Sequence, residues 1–157
     1  MNFKCRLFII SLLIPLLIGG ISGFISRNSM ETFALLNKPP LSPPGWLFPI
    51  VWTTLYILMG VASYIVLVSN APIESKSIAL KVYLIQLVIN FFWSLIFFNL
   101  EQYLLAFFWL LFLWVLIIIT IILFYNISKT AAYLLIPYLL WVTFAGYLNL
   151  SIYLINQ

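Results

Sequence analysis

Sorted into apolar and polar positions, the chain alternates between long hydrophobic runs and short polar breaks. Five runs stand out: Leu7–Ile25, Trp46–Val68, Val82–Leu100, Leu104–Phe124 and Tyr133–Ile155. Each approaches or exceeds the roughly 20 residues that a helix needs to cross a ~30 Å hydrocarbon core. The breaks between them, Ser26–Gly45, Ser69–Lys81, Glu101–Tyr103 and Tyr125–Ala132, are polar or proline-rich. Backbone groups in lipid must be satisfied internally. The pattern therefore predicts an all-α integral membrane protein, a bundle of five transmembrane helices forming one domain over residues 1–157. A signal peptide is the alternative for the first run, with Lys4 and Arg6 as its charged region. Against it, the run is long and no small-x-small cleavage pattern follows cleanly.

Within the runs, the few polar positions fall on helical stripes. Gln86, Asn90 and Ser94 recur at i, i+4, i+8 and so share one face of the third span. Trp52, Tyr56, Gly60 and Tyr64 do the same on the second, and Trp141, Ala145 and Asn149 on the fifth. The fourth span has only Thr120 and reads as lipid-facing. Amides and hydroxyls of this kind often serve as interhelical glue, and tryptophans often sit in interfacial belts. Trp46, Trp109 and Trp114 fit the belt. Trp52 and Trp141 sit about two turns inside their spans and fit an aromatic-walled cavity, suited to a flat apolar ligand bearing a carbonyl.

Glycine and proline refine the picture. Gly19 and Gly23 form a GxxxG pair that admits close helix packing, inside the bundle or at a dimer seam. Pro15 and Pro137 lie inside spans, free the carbonyls of Ser11 and Tyr133, and should kink both helices. Pro49 falls in a first turn, where proline is tolerated. The stretch "KPPLSPPGW" (Lys38–Trp46) cannot be helix interior. Its clustered prolines predict a stiff, extended segment, either a mere linker or a cover over something.

Composition agrees with a membrane protein: 66% of the 157 residues are hydrophobic and 6% charged, against about 25% charged in soluble domains. The net charge of +4 is scattered and carries no nucleic-acid footprint. With no histidine, no aspartate and one cysteine, Cys5, the chain lacks a metal-ligand cluster, an in-chain disulfide and a Ser-His-Asp or Cys-His nucleophile. The span cores hold no ionisable group but tyrosine, which disfavours a pump, a proton-coupled carrier or an ion channel. There is no internal repeat, and an odd span count argues against a simple inverted duplication. Lys4, Arg6, Lys76, Lys81 and Lys129 fall on one side of the membrane and only Arg27 and Lys38 on the other. That asymmetry predicts a cytoplasmic N-terminus and an outside C-terminus.

Three stretches, "KPPLSPPGWLFPIVWTTLYILMGVASY" (Lys38–Tyr64), "QLVINFFWSLIFF" (Gln86–Phe98) and "PYLLWVTFAGYLNLSIYLIN" (Pro137–Asn156), resemble the translocator protein family, also called tryptophan-rich sensory protein or peripheral benzodiazepine receptor. The similarity runs over nearly the whole chain. It implies a five-helix bundle, commonly a homodimer, whose pocket is lidded by the proline-rich first loop, residues 26–45. It implies binding of porphyrins such as protoporphyrin IX, of isoquinoline carboxamide and benzodiazepine-type drugs, and of sterols in some lineages. It also implies photo-oxidative porphyrin degradation using light and molecular oxygen, with no covalently bound cofactor and with pocket tryptophans, here Trp52 and Trp141, as electron donors. The ligand-binding set carried over is Pro43, Trp52, Tyr56, Gln86, Asn90, Trp141 and Ala145, with Asn90 meeting a ligand carbonyl beside Trp52. Arg27 and Lys38 are either solvated charge or partners for porphyrin propionates. The sterol motif of animal members is incomplete, because Leu148 and Tyr153 are followed by "LINQ" without a base. A short tail without a basic extension favours a bacterial cell membrane over a mitochondrial one. The alternatives are a translocator of apolar molecules and a ligand-gated sensor or scaffold without turnover.

Overall fold

The computed structural model describes residues 3–157, and the described residues contain helices and loops but no strand. Five helical spans are long and apolar enough to cross a membrane: Phe3–Ser26, Leu47–Val68, Ile73–Asn99, Tyr103–Tyr125 and Lys129–Ile155. The fold is an all-α, five-helix membrane bundle. In chain order its elements are α1 (Phe3–Ser26), α2 (Ser29–Leu35), α3 (Leu47–Val68), α4 (Ile73–Ser94, prolonged by a π turn over Leu95–Asn99), α5 (Tyr103–Tyr125), α6 (Lys129–Leu134) and α7 (Ile136–Ile155). α1 packs on α3 and α4, α4 on α5, α5 on α6 and α7, and α6 on α3, so the spans close into a ring.

Three boundaries differ from expectation, each for a physical reason. The third span starts at Ile73 rather than near Val82. Glu74, Lys76 and Lys81 end the apolar run but not the helix, which Pro72 sets at its N-terminal boundary. At ~1.5 Å per residue its 27 residues span about 40 Å, so its first turns project beyond the hydrocarbon. There Lys76 Nζ donates to the carbonyls of Leu67 and Ser69, at 3.3 and 3.0 Å, and caps the end of α3. The fifth span starts at Lys129, where the Ser128 hydroxyl accepts from the Ala131 amide as an N-cap. The expected kink is a break at Leu135, ahead of Pro137. In the first loop, residues 29–35 form α2, so only its second half is extended proline-rich chain.

Two further expectations are corrected by packing. α5 is not simply lipid-facing, for its Leu110, Leu113, Ile117 and Phe124 are buried core. Trp109 and Trp114 are interhelical ties rather than belt residues: Trp109 Nε1 donates to the Ile89 carbonyl at 2.8 Å, and Trp114 Nε1 to Thr143 Oγ1 at 2.9 Å. Trp46, 67% exposed, keeps its interfacial character.

α1 and α3 approach most closely where side chains vanish. A Cβ on Gly60 would lie 2.8 Å from the Ser11 carbonyl oxygen and the Leu12 Cα. Ser11 is four residues before Pro15, so its carbonyl has no helical donor. Higher up, a Cβ on Gly19 would run into the Tyr56 ring. Gly19 is thus an intra-bundle contact.

Candidate functional site

Above the Gly19–Tyr56 contact, α1 and α3 diverge and α4 completes a cavity of about 450 Å³. That volume lies within the range of small-molecule pockets. Its aromatic wall is Trp52 and Tyr56 from α3, Trp93 and Phe98 from α4, and Phe48. Trp52 stacks on Tyr56 at 5.5 Å and lies 6.2 Å from Trp93. The opposite wall is small and polar, with Gly20, Ser22, Gly23 and Ser26 of α1.

The π turn shapes the upper end. The Leu100 amide donates to the Leu95 carbonyl, five residues back, at 3.0 Å. The wider turn lets Trp93 touch both Phe97, at 5.5 Å, and Phe98, at 6.3 Å. It also aims Asn99 at α1, where Ser26 Oγ donates to Asn99 Oδ1 at 2.8 Å and Asn99 Nδ2 donates to the Ile25 carbonyl at 3.3 Å. The α1–α4 seam is thereby closed.

Polar chemistry in the cavity is sparse and directed. Asn90 Nδ2 donates to the Tyr56 hydroxyl at 3.1 Å. That bond leaves the hydroxyl proton and the Asn90 carbonyl oxygen available to a guest. The Trp52 indole N–H has no partner among the described residues and adds a donor. The arrangement therefore suits a flat, apolar molecule with one or two carbonyl or ring-nitrogen groups.

Of the residues expected at the site, the structure gathers Trp52, Tyr56 and Asn90 on this cavity. Gln86 lies below it as a tie across the bundle, accepting from the Tyr138 hydroxyl at 2.7 Å with its amide 3.9 Å from Met59 Sδ. Trp141 faces a groove on the other side of α3, with Val51, Leu58 and Phe144. One ring, Phe48, links it to the cavity, at 5.9 Å from Trp141. Ala145 is buried on α7, and Pro43 is in the loop; neither lines the cavity. Trp93 and the α1 wall were missed. Trp93 lies at i+3 from Asn90 and i+7 from Gln86, a helical face that a strict i+4 stripe omits. The α1 wall gave a signal only in the spacing of its glycines and serines.

Over the cavity runs the first loop. Phe33 of α2 packs against Phe48, Phe97 and Phe98 at 5.8, 5.9 and 5.5 Å. The proline segment begins with a tight turn in which the Ser42 amide and hydroxyl both donate to the Pro39 carbonyl, and Leu41 takes φ 71°. Two fastenings hold the loop to α7 and the residue after it. Asn37 and Asn156 exchange bonds of 3.1 and 2.8 Å, and the Tyr147 hydroxyl donates to the Pro40 carbonyl at 3.1 Å.

Comparison with known proteins agrees with this architecture. Residues 11–154 match the profile of the TspO/MBR family. The chain is 39% identical over 147 residues to the tryptophan-rich protein TspO of Archaeoglobus fulgidus, covering 93% of this chain and 94% of that one. It is 37% identical over 135 residues to the protein of the same name from Chlorobaculum tepidum, with 86% and 85% covered. To the human translocator protein it is 35% identical over 137 residues, with 87% and 81% covered. A five-helix membrane bundle, a family profile spanning all five helices and similarity along most of each relative together lead to one conclusion: this multi-pass membrane protein belongs to the TspO/MBR family.

Proposed function

We propose that the protein is a membrane receptor for porphyrins, protoporphyrin IX foremost, and for similar flat apolar molecules. They are held in the α1–α3–α4 cavity, where bound porphyrin undergoes oxidative breakdown under light. The observation that carries this reading is one cavity holding two indoles, Trp52 and Trp93, beside the paired Tyr56 and Asn90. Stacking on the indoles recognises a π surface, while the hydroxyl and amide orient its polar edge. The porphyrin is the chromophore and oxygen the oxidant, so the protein's part is to hold the ring against indoles able to lend an electron. Trp141, one ring removed, supports that exchange from behind Phe48. The layer below the cavity, with Gly19 against Tyr56 and Gln86 bonded to Tyr138, supports retention of the guest over passage through the bundle. The charge asymmetry supports an orientation with the N-terminus in the cytoplasm and the loop outside, in a bacterial cell membrane.

The test is titration of the reconstituted protein with protoporphyrin IX in the dark, then illumination in air. The wild type should bind saturably and lose porphyrin absorbance. Losing two stacking partners, Trp52→Phe/Trp93→Phe should weaken binding by roughly tenfold and slow bleaching further. Trp141→Phe should change affinity by no more than about twofold, on the order of 0.4 kcal/mol. Binding unaffected by the double substitution would sink the assignment of the cavity. Saturable binding without light-dependent loss would leave a receptor that senses and does not degrade.

A further inference from the structure

The cavity's walls are unequal, and the inequality defines a route. On the α1–α4 side the lining residues Ser22 and Ser26 are buried, and the Ser26–Asn99 bond closes the seam. Below, the Tyr56 ring fills the space over Gly19. Above, Phe33 sits among Phe48, Phe97 and Phe98 under a loop fastened to Tyr147 and Asn156. The α1–α3 side differs: Gly20, Gly23, Pro49 and Thr53 line the cavity and are exposed, where Ser22 and Ser26 are buried. A methyl added at Gly20 or Gly23 meets nothing within 4 Å. Gly20 is six residues from the end of α1, about 9 Å along its axis, so the opening faces the acyl chains just beneath the headgroups. Neighbouring Leu17, Ile21 and Phe24 are exposed apolar side chains suited to that surrounding.

We propose that the ligand enters and leaves sideways, from the outer part of the bilayer, through a portal between α1 and α3 floored by Gly20 and Gly23, and not end-on through the loop. The substrate class is correspondingly a membrane-partitioned planar amphiphile, delivered by the lipid phase. This inference rests on the receptor reading of the same cavity.

The experiment uses the reconstituted protein and protoporphyrin IX supplied from donor vesicles, with association and dissociation followed by stopped-flow fluorescence. One arm locks the loop with an Asn37→Cys/Asn156→Cys disulfide in a Cys5→Ser background. The other obstructs the portal with Gly20→Leu/Gly23→Leu, beside the smaller Gly20→Ala/Gly23→Ala. The locked loop should keep both rates within about twofold of the reduced protein. The leucine pair should slow both by roughly tenfold, and together, so that affinity moves less than either rate. The alanine pair should stay near wild type. Loss of association on locking, with normal rates in the leucine pair, would overturn the portal while leaving the receptor reading intact. Absence of saturable binding in the wild type would instead remove the receptor reading and the portal with it. Because the disulfide arm leaves the bundle untouched, misfolding of the leucine pair would not rescue the proposal.

Discussion

Arg27 directly follows α1, its guanidinium 4.1 Å from the centre of the Phe24 ring. It also lines the cavity, and it is exposed. A cation held over an aromatic ring at headgroup depth is placed to meet the carboxylate of an amphiphile whose body lies deeper. Arg27→Gln should therefore weaken protoporphyrin IX about threefold, as expected for a solvated ion pair, and leave its uncharged dimethyl ester unaffected in a dark titration. Equal loss for both ligands would mark a packing role, and no loss a merely solvated charge. Gln86 teaches the opposite lesson at the same scale. It shares a helical face with Asn90, yet Tyr138 and Met59 occupy its amide, and only the partner helices reveal this.

Among the elements, α1 and α3 show how a proline and a glycine cooperate across a seam. Pro15 strips the Ser11 carbonyl of its helical donor, and Gly60 lets the α3 backbone come against that carbonyl. Gly60→Ala would force backbone apart and should cost about 1–3 kcal/mol, read as a lower midpoint of thermal unfolding in detergent. Gly20→Ala should be neutral or gain up to ~1 kcal/mol from helix propensity. Equal midpoints for the two variants would refute this account of the seam. Much at this scale was legible beforehand. Length and hydrophobicity alone set the five spans, and proline chemistry foretold the interruption near Pro137. The face each stripe meets was not legible, because periodicity orders residues around their own helix and says nothing of which neighbour lies opposite. Hence Trp52 and Trp141, alike in depth and company, lie on opposite sides of α3. For the same reason the role of Trp93 is legible only from α4 packed beside α3.

Across the whole molecule, the first loop is held by distant partners rather than by its own contacts. Asn156→Ala removes both bonds of the exchange with the Asn37 backbone while sparing the Tyr147–Pro40 bond. Amide hydrogen exchange over residues 37–46 should speed up by about thirtyfold, the equivalent of two lost hydrogen bonds, with the five spans unchanged. Unaltered exchange would mean that the prolines alone order the loop. Asn37 and Asn156 are 119 residues apart in the chain, and four of the five spans lie between them. The loop's final position is thus unattainable while the chain is still being made. A nascent protein must carry an unfastened segment until α7 arrives, and that segment is a protease target for as long as insertion lasts. Chains stopped within α7 should be clipped in the loop by an externally added protease, and complete chains should resist it. The last bonds formed act as a maturation check on the first loop made.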